Sequence, residues 1–128
     1  MRVSATIAFV TLQNGREEYF TDGFVEFEDS SVRISYVADT YSLSLEYDAG
    51  GVTVTREGEH GYRAVFREGC ETVFETEKFS FPLFTEKLRF KAGEGKVHLS
   101  AKYSLGGKNE DTTTVILHVV YPKKSEEL

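Results

Sequence analysis

The sequence predicts an all-β protein, a single antiparallel up-and-down β-barrel of about ten strands, and three observations predict it. Apolar and polar residues alternate with period two from one end of the chain to the other, the pattern of strands with one dry and one wet face. Turn-forming residues interrupt the alternation at short intervals, and no segment carries a competing helical repeat. Strands joined in succession by tight turns form a meander, and closing the meander removes its exposed edges.

The first strand is expected over Val3 to Leu12 and the second over Glu17 to Glu28. They join at Asn14-Gly15, two residues that accept the positive φ of a tight reversal. Asp29-Ser30-Ser31 leads to a third strand, Val32 to Val37. In the fourth, Thr40 to Asp48, Tyr41, Leu43, Leu45 and Tyr47 alternate without a fault against Ser42, Ser44, Glu46 and Asp48. After Ala49-Gly50-Gly51 come a fifth strand, Gly51 to Arg56, and, past Glu57-Gly58-Glu59, a sixth, Tyr62 to Arg67. Glu68-Gly69 turns the chain into a seventh, Glu71 to Thr76. Between Thr76 and Thr85 the pattern is mixed, because Pro82 argues against a central ladder position while Phe79, Phe81 and Phe84 could plug one end. The eighth strand is therefore expected over Leu83 to Ala92, the ninth over Lys96 to Ser104 and the tenth over Asp111 to Tyr121. One domain spans residues 1–122, and the charged stretch 123–128 is expected to be a disordered tail.

Charge and hydrophobicity also specify two registers. A three-residue loop after Arg67 pairs Arg67 with Glu71, Val65 with Val73 and Arg63 with Glu75, and sets Phe66 and Ala64 opposite Thr72 and Phe74. That arrangement keeps opposite charges on one face. In the last hairpin, pairing Tyr103 with Thr113 also pairs Ala101 with Val115, Leu99 with Leu117 and Val97 with Val119. The same register places His98 directly opposite His118 on the outer face.

With 128 residues the chain has room for one core, and 40% hydrophobic residues against two prolines argue against disorder, collagen and a membrane span. A net charge of -6 and a pI near 5.1 disfavour nucleic acid as a partner. The basic clusters, Lys87, Arg89 and Lys91 and then Lys123 and Lys124, stand among or before acids. The lone Cys70 needs no oxidising compartment, and the opening MRVSATIAFV has no signal-peptide pattern, so a cytoplasmic address is expected.

No catalytic constellation stands out. His98 and His118 offer two imidazoles with no third ligand at matched spacing, so neither a metal nor another cofactor is expected. Acid pairs such as Glu26 and Glu28 fall on the wet face, and Cys70 lies in or beside a hairpin turn whose neighbouring acids disfavour its thiolate. Gly50-Gly51 and Gly106-Gly107 join strand to strand and are turns, not phosphate cradles.

Gly23, the run Val32 to Tyr36 with Leu45 and Tyr47, Arg56 with Gly58, Phe66 with Gly69, and Phe74 together resemble the YwiB-type family of small bacterial proteins with a calycin-like barrel. The resemblance spans nearly the whole chain. It implies a closed or nearly closed antiparallel barrel and carries no activity with it.

The inward parity is aromatic: Tyr36, Tyr41, Tyr47, Tyr62, Phe66, Phe74, Phe90 and Tyr103. Ordinary core packing is the simpler account of these rings. The functional account is a non-enzymatic protein that buries a small apolar or amphipathic molecule against Tyr36, Tyr47, Tyr62, Phe66, Phe90 and Tyr103, a tyrosine hydroxyl fixing its orientation. The alternative is a protein-interaction or self-association scaffold using the outer surface. Phe20 and Phe24 share the parity of Asp22, Glu26 and Glu28, and so fall on the wet face unless a bulge at Asp22-Gly23 resets the strand. Expected partners are thus a small ligand or a second copy of the chain, with neither nucleic acid nor membrane.

Overall fold

The computed structural model describes residues 2–107 and 111–122. The expectation of a disordered tail at 123–128, with the basic pair Lys123 and Lys124, falls outside the described residues. Ten strands run in chain order: β1 Arg2–Leu12, β2 Arg16–Phe27, β3 Ser31–Val37, β4 Tyr41–Asp48, β5 Gly51–Gly58, β6 Tyr62–Arg67, β7 Glu71–Glu75, β8 Ser80–Gly93, β9 Lys96–Leu105 and β10 Thr112–Val120. Each pairs antiparallel with its chain neighbours, and β1 pairs with β10, so the meander closes into a barrel. No helix occurs among the described residues.

The last hairpin has the expected register, with Tyr103 opposite Thr113, Val97 opposite Val119 and His98 opposite His118. Between β6 and β7 the expected Arg63–Glu75 and Ala64–Phe74 pairs form, and the ladder ends there. Beyond it the Thr72 hydroxyl donates to the carbonyls of Val65 and Leu83, on β6 and β8. The Gly69 N–H donates to Thr85 O at 2.8 Å, and the Thr85 N–H donates to Cys70 O at 3.2 Å. At this end, then, the β6–β7 turn bonds directly to β8 and takes over the wall from β7.

Pro82 lies inside β8, opposite Val73, where the sequence argued against a ladder position. The reason is geometric. A residue's N and C=O point to the same side of a strand, and the Pro82 carbonyl accepts the Gly106 N–H at 2.8 Å. Its imide nitrogen therefore faces the β9 side, beyond the last β8–β9 pair at Leu83 and Leu105, so no ladder bond to β7 is lost. Phe79 and Phe81 do not plug the barrel: they are exposed at its rim, with centroids 6.0 Å apart.

The register of β1 with β2 is unbroken from Arg2–Glu26 to Leu12–Arg16, so no bulge resets β2 and Phe20 points outward, 65% exposed. Phe24 is covered by the Arg2 guanidinium, 3.8 Å above its ring. Gly23 faces inward opposite Ala5, where β2 begins to pair with β3. A Cβ there would collide with the Ser35 carbonyl oxygen and come within 2.6 Å of Ile7 Cδ1. The close approach of the two strands requires a glycine.

The two ends of the barrel differ. The end with the β4–β5 and β8–β9 turns is packed, and above it Ala5, Ile7, Val25, Ile34, Val97, Leu117 and Val119 are buried. Tyr47 and Phe90 stack there at 3.9 Å and 5°, and the Tyr121 hydroxyl donates to Gly93 O at 2.8 Å. At the opposite end the β1–β2, β3–β4, β5–β6 and β7–β8 turns surround a mouth.

Candidate functional site

Eight strands are about the number whose side chains just fill a barrel, so ten leave room inside. That room is an apolar cavity of about 320 Å³ opening at the mouth. Of the six residues expected to line a pocket, Tyr36, Tyr62, Phe66 and Tyr103 line this one. Tyr47 and Phe90 lie outside the lining, stacked on each other in the packed end. Inward parity places a ring on the dry face, but its position along the barrel axis decides whether it meets space or another ring.

The tyrosines are held by one another. Phe9, Tyr19 and Tyr36 form a triangle with centroids 5.7 to 6.3 Å apart, and the Tyr36 and Tyr41 hydroxyls share a hydrogen bond of 3.0 Å. The Phe66 and Tyr103 rings meet edge to face at 5.1 Å. Burial pushes the Tyr36 hydroxyl far above the ordinary phenol value, with the bond to Tyr41 adding to the shift. It also raises Tyr62 and Tyr103, with the Arg56 charge opposing the rise at Tyr62.

Arg56 is the residue the sequence reasoning missed as a site residue. It shares the inward parity of Val52 and Val54 on β5 and faces Leu43 and Tyr62 across the two ladders. Among the described residues it is the one charged side chain in the cavity lining. Its guanidinium lies 3.6 Å over the Tyr41 ring and donates through Nε to Glu59 O at 2.8 Å. The signal was present in the Val-x-Val-x-Arg spacing, which puts a cation on the dry face. Arg56, Tyr62 and Phe74 also border an open groove of about 890 Å³ at the rim.

On the outer wall the His98 and His118 Nδ1 atoms are 3.2 Å apart. No group of three or more candidate metal ligands exists among the described residues. Cys70 is a free, half-buried thiol in the β6–β7 turn.

Fold and site together define a ten-stranded antiparallel barrel, packed at one end and open to an aromatic cavity at the other. The chain is similar to the crystal structure of the ywiB protein from Bacillus subtilis, with a TM-score of 0.75 and 16% identity over 95% of this chain and 92% of that one. At that identity the likeness shows the fold alone, which is of the YwiB type. No protein-family model matches the chain, and no curated protein matches it in sequence.

Proposed function

We propose that the protein binds a small apolar or amphipathic molecule in the open half of its barrel without catalysing a reaction on it, as a calycin-like carrier or sensor of the cytoplasm. The observation that carries the proposal is the cavity itself, about 320 Å³ of space walled by apolar side chains and tyrosines. Ligand sites of this size and lining are common in barrels. The Tyr62 and Tyr103 hydroxyls have no hydrogen-bond partner among the described residues, so both are available to orient a polar group. A neutral fluorescent dye, 1-aminonaphthalene, tests the reading by titration. We expect saturable binding of one dye per chain, lost when Leu43 in the lining is replaced by the larger Trp. No saturable binding, or the same binding in folded Leu43→Trp, overturns the proposal.

The second reading, self-association through the outer wall, is favoured by one observation. Phe20 is 65% exposed in a wall where Val120 is also exposed, and aromatic residues are enriched at protein interfaces. Sedimentation of the wild type against Phe20→Ser decides it. A concentration-dependent dimer lost in the variant supports this reading, and a monomer at high concentration removes it.

A further inference from the structure

We infer that the cavity's ligand is a singly charged carboxylate on an apolar body, its carboxylate held by Arg56 and its apolar body lying in the cavity below. The inference rests on the proposed binding function and names its substrate class. Arg56 is half-buried, stands in the lining and pairs with no carboxylate of the described residues. Its one hydrogen bond uses Nε, which leaves both terminal nitrogens of the fork without a described partner. Stacking on Tyr41 and the bond to Glu59 O fix the plane of the group in advance.

A planar, pre-positioned guanidinium with free terminal N–H groups matches the two oxygens of a carboxylate. The neighbouring phenols suit the same ion. Tyr62 faces Arg56 directly across the β5–β6 ladder, and its hydroxyl has no described partner. Burial raises the Tyr36 and Tyr62 hydroxyls from the ordinary phenol value, so both stay protonated and able to donate at neutral pH. A neutral ligand would leave the guanidinium uncompensated at an apolar wall. A phosphate monoester, near two negative charges, would bring a second charge that no described cation of the lining balances.

Volume sets the size of the apolar part. A cavity of about 320 Å³ equals roughly ten water volumes of about 30 Å³ each, which suits a ligand of about ten to twelve non-hydrogen atoms.

Displacement of the neutral dye by decanoate, decanol and decyl phosphate at pH 8 tests the inference. We expect decanoate to compete about tenfold more tightly than decanol, as a charge-assisted hydrogen bond warrants, and decyl phosphate to fall below decanoate. In Arg56→Gln the decanoate and decanol affinities should converge, while Arg56→Lys, which keeps the charge and loses the fork, should retain part of the preference. Equal binding of decanoate and decanol by the wild type overturns the carboxylate inference and leaves the cavity reading standing. So does a preference for decyl phosphate, or a decanoate preference that survives Arg56→Gln. Failure of the dye and of all three competitors to bind overturns the cavity reading itself. The wild-type comparison needs no variant to fold.

Discussion

The packed and open halves of this barrel are built from the same alternation, yet one is full and the other hollow. Around the packed half the inward side chains are mostly aliphatic, such as Ile7, Val25, Val97, Leu117 and Val119, and they exclude solvent almost completely. Around the open half the inward groups are larger and tipped with polar atoms: Tyr19, Tyr36, Tyr62, Tyr103 and Arg56. Branched aliphatic groups interdigitate across a barrel, whereas tyrosines lean on one another along the wall and keep their hydroxyls near water. Close packing is therefore concentrated in one half, and the open space with its polar-tipped lining in the other.

Truncation should separate the halves most sharply. Ile7 is fully buried in the packed half, so Ile7→Ala leaves a cavity and should cost roughly 3 to 4 kcal/mol. Leu43 already borders empty space, so Leu43→Ala removes little packing and should cost about 1 kcal/mol. Urea denaturation of the two variants compares them directly. Equal losses would mean that the cavity is filled or collapsed in solution.

Gly23→Ala should come next, at about 2 kcal/mol, the range of overpacking. The new methyl meets the Ser35 carbonyl oxygen, a backbone atom that cannot move without opening the β2–β3 contact, and Ile7 Cδ1, whose side chain must swing aside. A variant as stable as the wild type in the same denaturation would show that the two strands do not approach as closely as described.

The halves also differ in how far the sequence revealed them. All ten strands were legible, because alternation bounded by Gly and Asn turns leaves few other solutions. The His98–His118 pairing was legible too, since the register that sets Tyr103 opposite Thr113 keeps Val97, Leu99 and Ala101 in phase with β10. What parity does not carry is depth. Tyr47 is one residue from the β4–β5 turn and Phe90 nears the β8–β9 turn, which puts both at the packed end, and only the assembled register brings them face to face. Arg56 escaped for a different reason: a charge reads as a wet residue until its neighbours Val52 and Val54 fix the face it occupies. Pro82 escaped because the side of the strand it faces depends on where β9 ends.

Thr85 tests the boundary between the halves with an effect of opposite sign. Its side chain is completely buried, and its hydroxyl finds no hydrogen-bond partner among the described residues. An unpaired buried hydroxyl is destabilising, and valine has nearly the same shape. Thr85→Val should therefore stabilise the barrel by about 1 kcal/mol in urea. A loss of stability would show that the hydroxyl is hydrogen-bonded in solution, as to a buried water.

Acidification should produce the smallest effect and confine it to the packed half's outer wall. His98 faces His118 across the β9–β10 ladder, with Lys91 on its other side on β8 and the neutral Ala8 beyond His118 on β1. Burial, and then the neighbouring His118, hold the His98 imidazole below the ordinary histidine value. A lowered folded value means that the unfolded chain takes up the proton first as the pH falls. The contribution of His98 is thus complete above the ordinary histidine value near 6.5, and it is lost as the pH drops through that value toward the lowered one. Urea midpoints at pH 7.5 and 5.5 should differ in the wild type and differ less in His118→Gln, where no second imidazolium can form beside His98. Decanol binding should not change between the same two pH values, because decanol carries no charge and the raised Tyr36, Tyr62 and Tyr103 hydroxyls stay protonated throughout that range. A binding change that tracks the histidine titration would couple the two halves and contradict their separation.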